Sequence, residues 1–316
     1  YCDTDPLAVA TAIGPNVAQA VKPYEFLKPP VARIQGVIPL RGERDADLHF
    51  ELEGGPFRWL RFNSDHVRGR IDWANESVTL TNMDLKFYGG EVHGDAWFDV
   101  RDRGTTPFQF ALGATNCDLH ALMSDLHSPT NHLEGTITGR LVITNATTQD
   151  FASWNGYGRA KLRDGLIWDT PVFGVMSTVM NAFIPGIGNS RASDAGGKFI
   201  ISNSVIHTRD LQISASAMRL NYTGTVDFAT RVDARVEAEL MRETPVVGPL
   251  ISIMAWPFSK LFEYKVTGTL AKPEMEPLHT VPKIFFAPLH SGKSPETNAP
   301  PNAPATNALP VIVTPP

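Results

Sequence analysis

The sequence predicts an all-β, mainly antiparallel protein, and three observations carry that prediction. Apolar residues recur at every second position through most of the chain from about Val31 to Lys272. The segments that carry them are short and end at Gly, Asn or Asp. The links between them are mostly too short for helical crossovers, which favours a meander of hairpins.

Taken in order, residues 1–30 read as a linker with short helices around Leu7 to Ala12 and Val17 to Val21, both limited by prolines. Residues 31–277 read as the β domain. In "SVTLTNMDLKF" the alternation runs through Val78 and Leu80 and resumes at Leu85 and Phe87, so Asn82 between them marks a bulge or tight turn. "FYGGEVHGDAWFD" has glycines and a Lys-free continuation. A phosphate loop needs a helix after its glycines. Here Val92, Gly94, Ala96 and Phe98 alternate with Glu91, His93, Asp95 and Trp97 instead, so the glycines read as a hairpin turn. Further turns are expected at Asp164-Gly165, Asn203-Ser204 and Asn221 to Gly224.

Two segments break the rhythm. "DTPVFGVMSTVMNAF" has Thr170 as N-cap, Pro171 at the first helical position and apolar residues at Val172, Phe173, Met176, Met180 and Phe183. "TPVVGPLISIMAWPFS" repeats the Thr-Pro-Val-x-Gly opening and carries Leu250, Met254, Trp256 and Phe258. A membrane span needs about 20 apolar residues. Both segments are shorter or are interrupted by proline, so they read as one or two short apolar helices that need cover from the sheet, a membrane surface or a partner. In residues 278–316 the composition shifts: eight of the chain's 25 prolines fall in the last 29 residues, which predicts a disordered tail.

At 316 residues and 42% hydrophobic content the chain can bury a sizeable core. Its net charge of −5 is mild and scattered, so no nucleic-acid partner is expected. The chain opens within "YCDTDPLAVATAIGP", without a leader, and reads as a fragment of a longer protein. Cys2 and Cys117 allow one bridge, but ordinary thiols are the simpler reading. His120, His127 and His132 lie near Asp118 and Asp125 at no standard ligand spacing and read as solvated loop residues. "AGGK" is followed by Phe199 where a phosphate loop needs Ser or Thr. No base is placed beside Cys117. The expectation is a protein without catalytic residues, metal or cofactor, and not an enzyme.

Set in order, "LTNMDLKFYGGEVHGDAWFD", "WNGYGRAKLRDGLIWDTPVFGVMSTVMNAF", "NSVIHTRDLQISASAMRLNYTGTVDFATRVDARVEAEL" and "YKVTGTLAKPEMEP" resemble the C-terminal region of AsmA-like proteins, the group of AsmA and TamB. The resemblance covers about Ala74 to Pro277 and rests on the order of these phrases. It implies a long twisted antiparallel sheet folded into an open β-taco or groove, apolar within and polar outside. It also implies a place in the periplasm, within a protein anchored in the inner membrane by a segment outside this sequence, and a role in phospholipid transport towards the outer membrane.

On that reading the lipid-binding groove is built from Leu80, Leu85, Phe87, Val92, Phe98, Ile137, Leu141, Ile143, Leu162, Leu166, Trp168, Phe199, Ile201, Leu211, Ile213, Leu220, Tyr222, Val226, Phe228, Val236, Val266 and Leu270. The residues of the two apolar segments named above are its candidate contacts with a membrane or partner. Leu220→Glu should then lower bound lipid at an unchanged circular-dichroism spectrum. The same alternation also suits a closed sandwich core, and bound lipid separates the two. The alternative is a structural or assembly factor for outer-membrane or other envelope proteins, pairing with a partner strand through its last strand near Tyr264 to Leu270.

Overall fold

The computed structural model describes residues 3, 5–13, 18, 21–22, 24–37, 47–59, 61–101, 105–126, 131–148, 150–167, 172–174, 192–215, 218–240 and 263–278. Helix α1 spans Pro6–Ile13, matching the first of the two expected short helices, and α2 spans Leu119–Leu126. The strands are β1 (Tyr24–Phe26), β2 (Val31–Val37), β3 (Asp47–Gly54), β4 (Phe57–Trp59), β5 (Phe62–Ser64), β6 (His66–Ala74), β7 (Ser77–Phe87), β8 (Gly90–Asp99) and β9 (Pro107–Asp118). They continue as β10 (Glu134–Thr147), β11 (Asp150–Leu166), β12 (Ala192–Ser202), β13 (Val205–Ala215), β14 (Met218–Asp227), β15 (Val232–Leu240), β16 (Glu263–Gly268) and β17 (Pro273–Pro277).

Fourteen of these strands form one antiparallel sheet in the order β17 to β6 and then β3 and β2. Its two ends are not paired to each other, so it is an open sheet and not a barrel. The meander is interrupted once: β4 and β5 leave the large sheet to form a three-stranded sheet with β1.

Local chemistry sets the turns. Tyr88 and Gly89 both have positive φ, 46° and 73°, the conformation that a two-residue hairpin between twisted strands requires. Asn203 and Ser204 do the same between β12 and β13, at 50° and 63°. Asn82, Asn116 and Asp164 also have positive φ, but each lies inside a strand beside a register shift. They are bulges, formed by residue types that enter the left-handed region at low cost. Each bulge adds one residue and so moves the apolar set from one parity to the other. Leu80 faces inward before Asn82, and Met83 and Leu85 face inward after it. Two expected turns are corrected accordingly: Asp164-Gly165 is a bulge within β11, and Asn221 to Gly224 runs straight through β14. Polar side chains at those positions sit on the outer or bulged side of an unbroken strand.

Because the bulges restore parity, whole rows of cross-strand neighbours stay on one face. One row runs from Ile34 in β2 through Phe50, Ile71, Leu80, Ala96, Phe110, Ile143, Gly156, Ile201, Ile206 and Val226 to Val232 in β15. The opposite face carries ion pairs between neighbouring strands, such as Arg68 with Asp84, Lys161 with Asp194 and Arg235 with Glu263.

The core is not uniform along the sheet. A large buried cluster occupies the inner face of β12 to β16, with Ile213, Met218, Leu220, Val236 and Val266 at its centre. Leu119 of α2 and the short helical piece Val172–Gly174 pack into it. A second cluster of Phe108, Ile143, Ala146 and Ile201 lies on the same face, and a third of Leu48 and Trp73 lies near the β2 end. α2 corrects the loop reading of His120 and Asp125, which are helical. Its start is capped by Asp118, whose Oδ1 accepts from the Ala121 amide at 2.8 Å.

Candidate functional site

The inner face of the large sheet brings together the groove residues read from the sequence, and it divides them in two. Leu80, Leu85, Phe87, Val92 and Phe98, on β7 and β8, are half-buried, as are Ile137, Leu141, Leu162, Leu166, Phe199, Leu211, Val226, Phe228 and Leu270. Ile143, Ile201, Ile213, Leu220, Tyr222, Val236 and Val266 are buried. The face is therefore more exposed over β7 and β8 than at the centre of the β12 to β16 cluster. Leu220 is 0% exposed, so it belongs to the buried part. The expectation that Leu220→Glu spares the fold is corrected on that ground, because a carboxylate there has no path to water.

Trp168 lies outside the described residues, as do Met176, Met180, Phe183, Leu250, Met254, Trp256 and Phe258. Val172 is buried and Phe173 half-buried, with the Phe173 ring edge-on to Tyr222 at 5.6 Å between centroids. This part of the candidate contact helix therefore packs on the sheet's own inner face.

The sheet has two rims. The hairpin turns at residues 75–76 and 203–204 lie on one. The longer links β9 to β10, β11 to β12 and β15 to β16 all leave from the other. The hairpin rim carries an aromatic cluster that alternation alone did not reveal. Phe108 stacks with Phe98 and Phe110, with centroids at 6.0 and 6.1 Å, and meets Trp154 edge-on at 5.4 Å. Phe228, following β14, reaches Trp154 at 6.1 Å and Phe151 at 6.0 Å. Flat neighbouring strands lie about 4.8 Å apart, and β11 and β14 are three places apart in the sheet order, so the sheet curls inward here. Phe151 remains 44% exposed at this rim.

At the opposite rim the Tyr88 of the FYGG turn acts as a clamp. Its hydroxyl donates to Asp125 Oδ2 of α2 at 2.5 Å and accepts from the Asn63 amide at 3.2 Å. Burial, and then the bond to Asp125, push its pKa up to about 12. Ring contacts continue from there, tilted between Phe87 and Phe62 and stacked from Phe62 to Trp59 to Tyr24, and tie the small sheet to the large one. The sequence signal for α2 was the Asp118 cap before an apolar Leu119. For the small sheet the signal was its run of aromatic residues in strands too short to show a period.

Among the described residues no group of three His, Cys, Asp or Glu side chains is placed to hold a metal ion. Cys117 is buried on the inner face beside Ile137, and burial pushes its thiol pKa up. Cys117 is therefore expected to resist iodoacetamide in the native protein and to react fully after denaturation; mass spectrometry of the labelled chain reads the difference. Modification at the native, neutral-pH surface rate would show that this end of the face is open to solvent.

Among the described residues no helix is long and apolar enough to cross a membrane. No family model, curated protein or solved structure matches the chain.

Proposed function

We propose that the chain binds acyl chains of phospholipid along the inner face of its sheet and serves as a passive part of a lipid route between the membranes of a bacterial envelope, as AsmA-like proteins do. One observation supports this reading above the others: an apolar row continues through twelve strands of an open sheet and is half-exposed over several of them. An acyl chain laid across those strands would complete their burial, stabilised by roughly 0.8 kcal/mol per methylene removed from water. No charged group interrupts the row, and nothing on it offers acid, base or nucleophile. Its place would be the periplasm, and the work would be done by shape and apolar area. Native mass spectrometry of detergent-free protein from a bacterial envelope tests the reading. Stoichiometric phospholipid is expected; a clean apo mass from fully folded protein would overturn it.

Strand pairing with an envelope protein is a second reading, and one observation favours it in altered form. The strand Tyr264–Leu270 has no free edge, because β16 pairs with β15 on one side and β17 on the other. β17 in turn begins and ends with proline, which blunts that edge. The edge that remains is β2, paired only with β3 among the described residues and exposing Val31 (52%) and Val37 (62%). Proline at Gln35 is expected to abolish any strand-mediated complex while leaving lipid content unchanged; size-exclusion chromatography with light scattering would detect it.

A further inference from the structure

The β12 to β16 end of the inner face holds two polar atoms without a use. The hydroxyls of Tyr222 and Tyr264 are buried and have no hydrogen-bond partner among the described residues. The residues themselves are only 4% and 2% exposed. A buried donor left unpaired is costly, and native proteins keep few of them. Here two occur in one cross-strand row: Tyr222 pairs with Val236, and Val236 with Tyr264. Two strand spacings place their backbones about 10 Å apart.

Their surroundings define what they can bind. The cluster around them consists of aliphatic and aromatic side chains, with Phe173 against the Tyr222 ring. A neighbouring charged pair, Arg235 and Glu263, alternates with Val236 and Tyr264, and its two members bond to each other on the outer face. An ionised carboxylate or phosphate placed beside the tyrosines would therefore lie buried without a counter-charge among the described residues. Burial also raises both phenols, Tyr264 to about 12, so they remain protonated donors at any physiological pH. The site asks for a neutral oxygen acceptor attached to a long apolar body.

We propose that Tyr222 and Tyr264 donate hydrogen bonds to the uncharged ester carbonyls of an acyl-chain ligand seated at the β12 to β16 end of the inner face. This rests on the groove reading above and adds to it: the face would select for esters over plain hydrocarbon, and a diacyl ester would supply one carbonyl to each hydroxyl.

The test uses the full chain, stripped of lipid, and two probes: dioleoylglycerol labelled with carbon-thirteen at its ester carbonyls, and a long-chain alkane that has no acceptor. Bound fraction is read by native mass spectrometry and the carbonyl stretch by infrared spectroscopy. In the Tyr222→Phe, Tyr264→Phe double variant, diester affinity is expected to fall roughly thirtyfold, the worth of two ordinary hydrogen bonds. Alkane affinity should stay unchanged, and the carbonyl stretch should return from its lowered, hydrogen-bonded frequency to the free value. The inference is overturned if diester binding is unaffected, or if diester and alkane binding fall together. It is also overturned if the lipid-free double variant is less stable than wild type, since the hydroxyls would then bond within the protein. Wild-type protein that binds neither probe would remove the groove reading itself, an outcome separate from any of these.

Discussion

Replacing Leu220 by glutamate is expected to unfold the β12 to β16 end of the sheet. Leu220 is fully buried between Ile213 and Ala238, its neighbours in the inner row. The substitution removes an aliphatic side chain from a packed site and puts a carboxylate there among apolar side chains. Loss of the aliphatic contacts alone costs about 3 kcal/mol, as in Leu→Ala substitutions. The unpaired charge, or its forced neutralisation, adds several more. The sum, about 5 kcal/mol or more, approaches the whole stability of an ordinary domain. Circular dichroism at room temperature and a urea titration measure it directly. Leu220→Ala provides the scale: a lowered urea midpoint with the folded signal retained. A Leu220→Glu protein with an unchanged midpoint would mean that this face is open to water and that the buried cluster does not hold the sheet.

The β class was legible because period-two alternation survives wherever one face of a strand is buried and the other is wet. Asn82 was legible for a related reason: the apolar parity changes across it, and a bulge is the cheapest device that changes parity within one strand. Asp164 and Asn221 misled because Asp-Gly and Asn-to-Gly sequences suit turns, while tertiary pairing keeps both within long strands. Asp164 fills a bulge, and Asn221 stands on the outer face between inward Leu220 and Tyr222. What alternation cannot encode is how far each row is covered. Leu80 and Leu220 have the same local pattern, yet one is half-exposed and the other sealed, because the cover comes from α2 and from Val172 and Phe173, distant in sequence. The unpartnered hydroxyls of Tyr222 and Tyr264 were equally hidden, since a tyrosine in an apolar row reads as one more large ring.

Glutamate at Leu80 is expected to do the opposite of glutamate at Leu220: to leave the fold intact and empty the groove. Leu80 lies in the long apolar row, paired with Ile71 and Ala96, but is half-buried and belongs to none of the three buried clusters. A carboxylate there can turn to water, so the stability change should stay within about 1 kcal/mol, as for other substitutions outside a packed core. An acyl chain crossing β7 would meet that charge and its hydration shell where it had met a leucine, and would lose the contacts of several methylenes at roughly 0.8 kcal/mol each. Co-purifying lipid, measured by native mass spectrometry, is expected to drop at least tenfold at an unchanged urea midpoint. Thr81→Glu is the matched control. It places the same charge one residue away on the outer face, opposite Arg70, and should change neither quantity. Lipid retained in Leu80→Glu, or lost equally in Thr81→Glu, would sink the claim that the long row is the lipid path. Loss in the first alone would show that the ligand's path crosses the half-exposed face of β7.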